Sequence, residues 1–349
     1  MRDLVLTVLK KWLHLEHETD VDVILATAVA SLFPGERLWL FVIGPPGSAK
    51  SELVRGFRGP SVYTLDNMTD STLVSGFHGK RDNSILPALN NKLLVVKEFT
   101  PLLTKSHDKR EAIFSQLRAI YDGTYSTAYG SGAGRREYNV SFGMIAAVTP
   151  AIDQHRAIHS ILGERFLSLR LQTNAQKSID GTEKNHQQEQ QMRAEIGAIL
   201  EAFMSYYKET GVQHLPQRTP DMQKLKGLAL TIGQLRTPVH RDYRGQLHFT
   251  PVAEVGTRLY KQLLLLSQAL ILIGAYDYSV IEGVARDCVL PDRLKVFDHL
   301  QAQESTIPDV ATGCRLPRST ASLYLEDLWL LDLAQRRLDG NQYIYSLTQ

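Results

Sequence analysis

The stretch "RLWLFVIGPPGSAKSELVRGF" (residues 37–57) contains the local pattern that decides the fold. A continuous apolar run of strand length leads into a loop of glycine and proline, and the residues after this loop have helical character. The loop approaches the phosphate-binding pattern G-x-x-x-x-G-K-[ST], but Ala49 takes the place of the second glycine. Alanine adds one methyl group and is tolerated where the backbone has helical φ. We therefore predict a phosphate-binding loop made of Gly44, Pro45, Pro46, Gly47, Ser48, Ala49, Lys50 and Ser51.

Each part of this loop has a chemical role toward a phosphorylated ligand. Gly44 and Gly47 let the backbone curl so that successive N–H groups face phosphate oxygens, and the following helix N-terminus adds positive potential. Lys50 is placed to reach the terminal phosphates, and Ser51 to bind Mg²⁺. The alternative interpretation is a plain Gly-Pro turn between a strand and a helix.

Further strands follow at intervals that predict an α/β fold. "KLLVVKEF" (residues 92–99) is a second apolar strand, and "DKREAIFSQLRAIYDG" (residues 108–123) has apolar residues at helical spacing. The segment "TYSTAYGSGAGRREYNVSFGMIAAV" (residues 124–148) alternates, turns through glycine and serine, alternates again and enters a third apolar strand. Strands separated by helices predict a parallel sheet.

The end of the second strand lies where an ATPase carries two acidic residues, the first ordering Mg²⁺ and the second polarising the attacking water. Here Lys97 occupies the first of these places, and only Glu98 remains acidic. Glu98 is therefore the candidate for both roles. The lysine weakens the case for hydrolysis more than the case for nucleotide binding, and a buried strand with a charged end is the alternative.

The composition along the chain predicts four regions. Residues 1–33 read as two helices that end before Pro34-Gly35, and residues 34–172 as the α/β nucleotide-binding core. Residues 173–288 read as a helical lid domain, of which the polar segment 173–191 is a surface loop or linker. Residues 289–349 read as three helices and a β-hairpin that turns at Asp339-Gly340.

The overall composition is that of a soluble globular protein. The formal net charge of +2 creates no global field toward nucleic acid or membrane, so any such binding depends on local patches. The two cysteines, Cys288 and Cys314, lack metal-ligand spacing and fit a reducing compartment. No apolar run approaches the length of a membrane span. We therefore expect a cytoplasmic protein without membrane contact.

The order of these motifs resembles the AAA+ ATPases, and among them the minichromosome maintenance (MCM) helicases. MCM loops read G-x-P-G-x-A-K-S, which "GPPGSAKS" matches, including the alanine. The family then has a strand ending D-E-F, where this chain has "KEF", followed by a helix, a β-hairpin and a sensor strand ending A-A-N-P, where this chain has "AAVTP". The similarity extends over residues 37–349, and compact bacterial or mobile-element ATPases are the nearest type.

The resemblance assigns roles to further residues. It places Thr149 at the sensor asparagine and Arg165, in "LGERFLSLRL", at the arginine that reaches a neighbouring subunit's ATP. It also places Arg258, in "GTRLYKQLLLLSQAL", at the second sensor, which contacts the subunit's own nucleotide. The open alternatives are a strand-ending threonine and two arginines that are surface residues or form salt bridges.

The fold implied by the resemblance is a P-loop NTPase (AAA+) parallel-sheet core with a helical lid domain and a C-terminal winged helix. The implied cofactors are ATP and Mg²⁺, and the implied partners are DNA and further copies of the chain in a ring or arc, expected as a hexamer. The expected activity is that of a DNA helicase or replication initiator. A nucleotide-gated DNA-binding regulator with little hydrolysis, favoured by Lys97, and an ATP-driven protein remodeller remain as alternatives.

Basic residues on the predicted hairpin tip, on the loop "FHGKRDN" and on the winged helix are the candidates for DNA contact, with a solvated hairpin tip and protein docking as the alternatives. Four carboxylates make the C-terminal region slightly acidic overall: Glu326, Asp327, Asp332 and Asp339. The candidates for phosphate contact are Lys80, Arg81, Arg135, Arg136, Arg315, Arg318, Ser319, Thr320, Arg336 and Arg337.

Overall fold

Five parallel strands form the central sheet of the computed structural model, which describes residues 1–32, 35–48, 50–69, 72–74, 84–129, 134–154, 165–210, 220–242 and 244–348. The strands in these residues are β1 (Trp39–Ile43), β2 (Val62–Leu65), β3 (Leu93–Val96), β4 (Thr124–Tyr129), β5 (Gly134–Asn139), β6 (Gly143–Val148), β7 (Leu167–Arg170), β8 (Ser305–Thr306), β9 (Ala334–Asp339) and β10 (Gln342–Leu347).

Helices make up most of the remaining described chain. They are α1 (Arg2–Trp12), α2 (Glu18–Ala30), α3 (Lys50–Arg55), α4 (Leu86–Leu89), α5 (Thr100–Leu103), α6 (His107–Tyr121), α7 (Ala175–Lys184), α8 (Glu189–Glu209), α9 (Met222–Arg236), α10 (Thr257–Ile273), α11 (Tyr278–Asp287), α12 (Pro291–Ala302), α13 (Ile307–Gly313) and α14 (Arg318–Leu330), with a 3-10 helix at Pro150–Gln154. None of these helices, which cover the described residues only, combines the length and apolar character needed to cross a bilayer.

Residue contacts divide the chain into two units. The first consists of Met1–Pro220 and Lys261–Val284, and the second of Asp221–Tyr260 and Ala285–Gln349. This division differs from the expected boundaries at residues 33, 172 and 288. The region expected to be one lid domain contributes helices to both units.

The order of strands in the sheet brings three predicted site segments to one edge. The order is β2-β3-β6-β1-β7, and every strand pair is parallel. Because β6 lies between β1 and β3, the carboxyl ends of these three strands lie side by side. Backbone bonds extend the pairing past the strand ends, from Gly44 N–H to the Val148 carbonyl at 3.2 Å and from Phe99 N–H to the Ala147 carbonyl at 2.8 Å. The predicted parallel α/β sheet is confirmed.

The two faces of the sheet are covered by different helices. Leu94 and Val96 of β3 belong to an apolar cluster with Phe114 and Leu117 of α6. Successive residues of a strand point to opposite faces, so Leu93 and Val95 are buried on the other face, against which α2 and α3 pack. Both faces are covered, which is why β1 and β3 are apolar without alternation.

The N-terminal helices form part of the sheet unit. Every residue of α2 from Val21 to Ala30 is buried, because this helix packs on β1 and β6 while α1 packs on α8. Arg2 donates two hydrogen bonds, of 2.6 and 2.7 Å, to the buried carboxylate of Asp22. The two predicted helices are confirmed, and these contacts explain why they belong to the first unit.

One prediction about the polar segment 173–191 was wrong. A surface loop or linker was expected there, but Ala175–Lys184 is a helix. The side chain of Asn174 accepts a hydrogen bond from Lys177 N–H at 3.2 Å and so caps the first turn. This local cap and the exposure of most α7 side chains allow a helix of low apolar content.

The second unit contains three helices and a small antiparallel sheet in its C-terminal part. The sheet has order β8-β10-β9, and its hairpin turns at Gly340, whose φ is +58°. The short strand β8 was not expected from the sequence. Helix α13 begins with a capping box in which Thr306 and Asp309 bond to each other's backbone N–H.

Candidate functional site

The predicted phosphate loop follows β1 directly, and α3 begins at Lys50. Ser48 N–H donates to the Pro45 carbonyl at 3.2 Å, which closes a turn. Gly47 has a φ of +80°, a region that other residues rarely adopt. The positive φ makes Gly47 the position that requires glycine, while a Cβ on Gly44 would lie 2.7 Å from Ser48 Oγ and would displace that side chain. Ala49, which distinguishes the loop from the usual pattern, lies outside the described residues.

Two polar groups of the loop are buried but have few bonds. Ser48 Oγ has no hydrogen-bond partner among the described residues. Lys50 is 3% exposed, and its Nζ donates one hydrogen bond, of 3.0 Å, to the Pro45 carbonyl. Burial lowers the pKa of Lys50, and the charge of Glu98 partly offsets that effect. The loop therefore holds a buried hydroxyl and an ammonium group with N–H donors to spare.

Glu98 lies just beyond β3 in the electrostatic field of Lys50. Its Oε1 accepts a hydrogen bond from Thr100 N–H at 3.2 Å, and Thr100 Oγ1 lies 3.3 Å from Thr149 Oγ1. Thr149 N–H in turn donates to Thr100 Oγ1 at 3.1 Å. Hydrogen bonds through Thr100 thus connect the two predicted residues, which come from different strand ends.

Thr100 was missed by the sequence reasoning. The signal that could have identified it is a hydroxyl residue in "EFTP", between the strand-end carboxylate and a proline at the start of a helix.

Lys97 is directed toward Asp66. Lys97 Nζ lies 2.8 Å from Asp66 Oδ1, and the hydrogen bond from Lys97, with a smaller effect of Arg55, lowers the pKa of Asp66. Asp66 immediately follows β2, the neighbour of β3, and Lys97 N–H donates to the carbonyl of Leu65 at 2.9 Å. The positive charge that replaces the expected acid is therefore balanced by a carboxylate on the adjacent strand end.

A second pair at this edge was also missed. Arg170, the last residue of β7, donates two hydrogen bonds of 2.8 Å to Asp153 in the 3-10 helix that follows β6. The pair links segments on either side of β1 and so stabilises the edge that carries the loop. An arginine closing an apolar strand, as in "LSLRL", was the available signal.

The arginine assigned to a neighbouring subunit's ATP is bonded within its own chain. Arg165 NH2 donates to both Asp122 oxygens, at 3.1 and 2.8 Å, and its guanidinium lies 5.8 Å from the Tyr121 ring centre. Gln262 donates to the Arg165 carbonyl at 2.7 Å. The side chain of Arg165 is 7% exposed in this arrangement.

The other predicted residues of the core are dispersed. Arg258 is in the first turn of α10 and belongs to the second unit. Lys80 and Arg81 lie outside the described residues, as does the tip of the β4–β5 hairpin. Arg135 and Arg136 lie beside this tip on β5, where Arg135 is exposed and lies 3.3 Å from Glu137.

The C-terminal cations differ in their surroundings. Arg315 and Arg318 are exposed, and within the described part of the chain their side chains form no hydrogen bond or ion pair. Ser319 and Thr320 share the first turn of α14 with Arg318. The Arg336 guanidinium lies 3.6 Å from the Trp329 ring centre and 4.6 Å from that of Tyr343, and Arg337 bonds to Glu304 at 2.9 Å.

Two of the four C-terminal carboxylates form ion pairs with arginines of the same unit. Asp327 is fully buried and bonds to Arg241 and, at 2.6 Å, to Arg293. Glu326 lies 2.9 Å from Arg241. These ion pairs reduce the net acidity that the sequence led us to expect for this region.

A scan against protein-family models finds no matching family, and a search of curated proteins finds no matching sequence.

Proposed function

We propose that this chain is an MCM-like AAA+ ATPase that binds ATP with Mg²⁺ and acts on DNA as a helicase or replication initiator. The observation that supports this most is the arrangement at the sheet edge. The phosphate loop and the buried Lys50 lie there, and Lys50 makes a single hydrogen bond. The strand-end carboxylate of Glu98 interacts electrostatically with Lys50. Buried donors with few partners in a protein are suited to an anionic ligand.

The loop residues fit a nucleotide phosphate. The loop N–H groups, Ser48 Oγ and Lys50 Nζ would donate to phosphate oxygens, and the start of α3 would add positive potential. Ser51 Oγ and the Glu98 carboxylate are the hard oxygen ligands available for Mg²⁺, an ion that uses one or two carboxylates together with phosphates and waters. Bound Mg²⁺ would neutralise charge on the β- and γ-phosphates.

The chain's own groups are also suited to orient a water molecule. The Glu98 carboxylate would accept a proton or hydrogen bond from the attacking water. The backbone N–H of Thr100 donates to the Glu98 carboxylate, and the hydroxyl of Thr100 accepts a hydrogen bond from Thr149 N–H. Thr100 would therefore hold Glu98 and Thr149 in fixed positions relative to each other. Thr149 would then offer its hydroxyl to the same water.

Assembly would complete the site. Arg165 would stabilise charge on the γ-phosphate of a neighbouring subunit in a ring or arc, expected as a hexamer, while Arg258 would contact its own subunit's nucleotide. Since Arg165 is held by Asp122 in the single chain, exchange of Asp122 for phosphate would accompany subunit docking.

The second unit would contact DNA. Its helices and hairpin have the order of a winged helix, with α14 as recognition helix and the β9–β10 hairpin as wing. Arg315 and Arg318 are the cations most available for phosphates, because Arg336 is stacked on aromatic rings and Arg337 is paired with Glu304. Lys80, Arg81, Arg135 and Arg136 would add contacts from the first unit.

A nucleotide-gated DNA-binding regulator is the second candidate. It is favoured by Lys97, which with Asp66 forms an ion pair where a Mg²⁺-ordering acid would be expected. Because Glu98 is the one acidic residue at positions 97 and 98, nucleotide binding would persist while hydrolysis is slow.

An ATPase assay with and without DNA, combined with strand displacement, distinguishes these functions. DNA-stimulated turnover with unwinding is the expected result, and Lys50→Ala should abolish it. DNA binding without turnover identifies the regulator, and turnover indifferent to DNA identifies a protein remodeller. If neither ATP binding nor turnover occurs, or if Lys50→Ala changes nothing, the proposal fails.

The DNA contact has its own test. Replacing Arg315 and Arg318 by alanine should weaken DNA binding and reduce the slope of log affinity against log salt by about two. Lys208→Ala removes an exposed cation from the last turn of α8 and serves as the control. Equal effects of the two variants would exclude the start of α14 and the residues just before it as the DNA-binding element.

A further inference from the structure

The β9–β10 hairpin carries an exposed apolar surface close to its turn. Its two strands pair so that Leu338 lies opposite Tyr343 and Arg336 lies opposite Tyr345. Side chains that lie directly opposite each other, or alternate along a strand, share one face, so these four residues are on the same face of the hairpin. Tyr345, farther from the turn, is buried, whereas Leu338 and Tyr343 are 66% and 42% exposed.

Arg336 lies between two aromatic rings on this face. Its guanidinium carbon is 3.6 Å from the centre of the Trp329 ring and 4.6 Å from that of Tyr343. Trp329 belongs to the last turn of α14, so the stack joins the hairpin to this helix. Within the part of the chain that the structure describes, Arg336 forms no hydrogen bond and no ion pair. Its charge is therefore held in position by the rings, and no carboxylate neutralises it.

The wing patch, as we call this surface, is apolar and carries one positive charge. It consists of Trp329, Arg336, Leu338 and Tyr343. The two charged residues that alternate with them along β9, Arg337 and Asp339, point to the opposite face, where Arg337 lies 2.9 Å from Glu304. The acidic side chains of the hairpin region are thus directed away from the wing patch.

From this arrangement, and resting on the proposed contact of the second unit with DNA, we infer that the wing patch binds the exposed face of a nucleobase. Such a face is present in an unpaired strand and at the open end of a duplex. Bases stack on aromatic rings regardless of sequence, because every base has a π-face. The base would lie on the Tyr343 ring beside Leu338, and the N–H groups of Arg336 would donate to a phosphate of the same strand.

The combination of charge and rings favours this occupant over a protein. Sites for unpaired nucleic acid combine positive charge with aromatic side chains on which bases stack. One nucleotide supplies both a flat base and a phosphate, whereas a protein partner would have to bring an apolar surface and a separate carboxylate for Arg336. Because the guanidinium already holds the Tyr343 ring, little side-chain freedom is lost on binding.

The test uses the full chain and oligonucleotides that contain the fluorescent base 2-aminopurine. The fluorescent base is placed in a single strand, at the terminal pair of a blunt duplex, or in the centre of that duplex. Stacking on Tyr343 should quench the fluorescence in the single strand, at the duplex end, or in both, and leave the central base unchanged. Which of the first two responds identifies the source of the exposed base.

Substitution of Tyr343 links the signal to the wing patch. Tyr343→Ala should abolish the quenching and lower the affinity for the responding DNA at least about fivefold, while Tyr343→Phe keeps the ring and should retain both. Tyr206→Ala removes a ring of similar exposure, 46%, from α8 and is the matched control, expected to change neither.

Arg336→Met provides a second variant that does not depend on the stability of Tyr343→Ala. The methionine keeps an apolar stem between the rings and removes the charge. The quenching should remain, and the slope of log affinity against log salt should fall by about 0.7 for a single strand. An unchanged slope would contradict the assigned phosphate contact.

The remaining outcomes separate this inference from the proposed function. Full quenching and affinity in Tyr343→Ala, or equal losses in Tyr206→Ala, overturn the inference and leave the proposed DNA contact through Arg315 and Arg318 intact. Quenching of the central base also overturns it, because no base face is exposed there. If the unmodified chain binds none of the three DNAs, the proposed DNA contact itself fails, and the inference fails with it.

Discussion

Lys50 and Arg293 are both buried cations, with 3% and 2% exposure, but their surroundings differ. Arg293 donates to the carbonyls of Leu235 and Thr237, at 2.9 and 2.6 Å, and to Asp327 at 2.6 Å. Lys50 donates once, to the Pro45 carbonyl, and among the described residues no carboxylate lies within ion-pair distance of it. Both terminal nitrogens of Arg293 are bonded to its own chain, whereas the Lys50 ammonium keeps N–H donors for a ligand.

The difference separates a cation that holds the fold from one suited to a ligand. Burial of charge costs several kcal/mol unless nearby groups compensate it. Around Arg293 the compensation is internal, through a carboxylate that is itself fully buried. Around Lys50 the compensation is incomplete, as the lowered pKa shows. Sites that retain such a cost in stability are commonly functional.

The largest effect on stability is expected for Arg293→Met. This substitution leaves the buried Asp327 with Arg241 as its remaining partner and removes a donor from two carbonyls. We expect the free energy of unfolding of the second unit to fall by about 3–5 kcal/mol, measured by urea denaturation. Arg286→Met, which breaks a more exposed pair with Asp298, is the control and should cost less than about 1 kcal/mol. Similar losses for both would remove the contrast between the two kinds of cation.

Lys50→Met should produce the next largest effect, and it should appear as a loss of ATP binding without a loss of stability. The methionine keeps the apolar stem of the side chain and removes the charge. ATP affinity should fall by at least about a hundredfold, or about 2.7 kcal/mol. The free energy of unfolding should stay constant or rise, because an undercompensated buried charge is lost. A large loss of stability without change in ATP affinity would make Lys50 a structural cation like Arg293.

Asp20→Asn should raise stability by about 2 kcal/mol at pH 7.5. The pKa of Asp20 is about 6 in the folded chain against an ordinary value of 3.8. Between these values the folded state binds more protons than the unfolded state, so the stability of the unmodified chain falls as pH rises. The advantage of the variant should therefore be full above pH 7, shrink through pH 6 and vanish below about pH 4. Thermal unfolding across this range measures it, and a gain independent of pH would contradict the burial of the charged carboxylate.

Much of the fold could be predicted because local patterns determine it. The strand-loop-helix order around Lys50 and the apolar strands β3 and β6 follow from hydrophobic periodicity, and the parallel sheet follows from their spacing. Helix α7 was missed because a side-chain cap and not an apolar face defines it. The grouping of α1 and α2 with the sheet was also not predictable, since sequence patterns do not report which elements pack together.

The candidate site shows the same limit. Glu98 and Thr149 could be identified from strand ends, but Thr100, which connects them, depends on the lateral order of strands. Lys97 is the clearest case: its partner Asp66 lies 31 residues earlier in the sequence and comes near only because β2 pairs with β3. Sequence alone left open whether Lys97 would face a metal. The pairing of β2 with β3 instead places the Asp66 carboxylate beside Lys97.

Exchanging Lys97 and Asp66 should have the smallest effect of these substitutions. It tests whether the partner of a charged residue decides its role, as the comparison of Lys50 with Arg293 indicates. Lys97→Asp with Asp66→Lys keeps opposite charges facing each other, so the free energy of unfolding should change by less than about 1 kcal/mol. It also introduces a carboxylate at the strand-end place expected to order Mg²⁺. ATP turnover should then rise about tenfold, which corresponds to a barrier lower by about 1.4 kcal/mol, and depend more steeply on Mg²⁺.

Lys97→Met removes the cation without adding a carboxylate, and its turnover should stay within about twofold of the unmodified chain. If the exchange and Lys97→Met give the same turnover, the missing acid is not what limits hydrolysis, and the release of Arg165 from Asp122 becomes the step to examine.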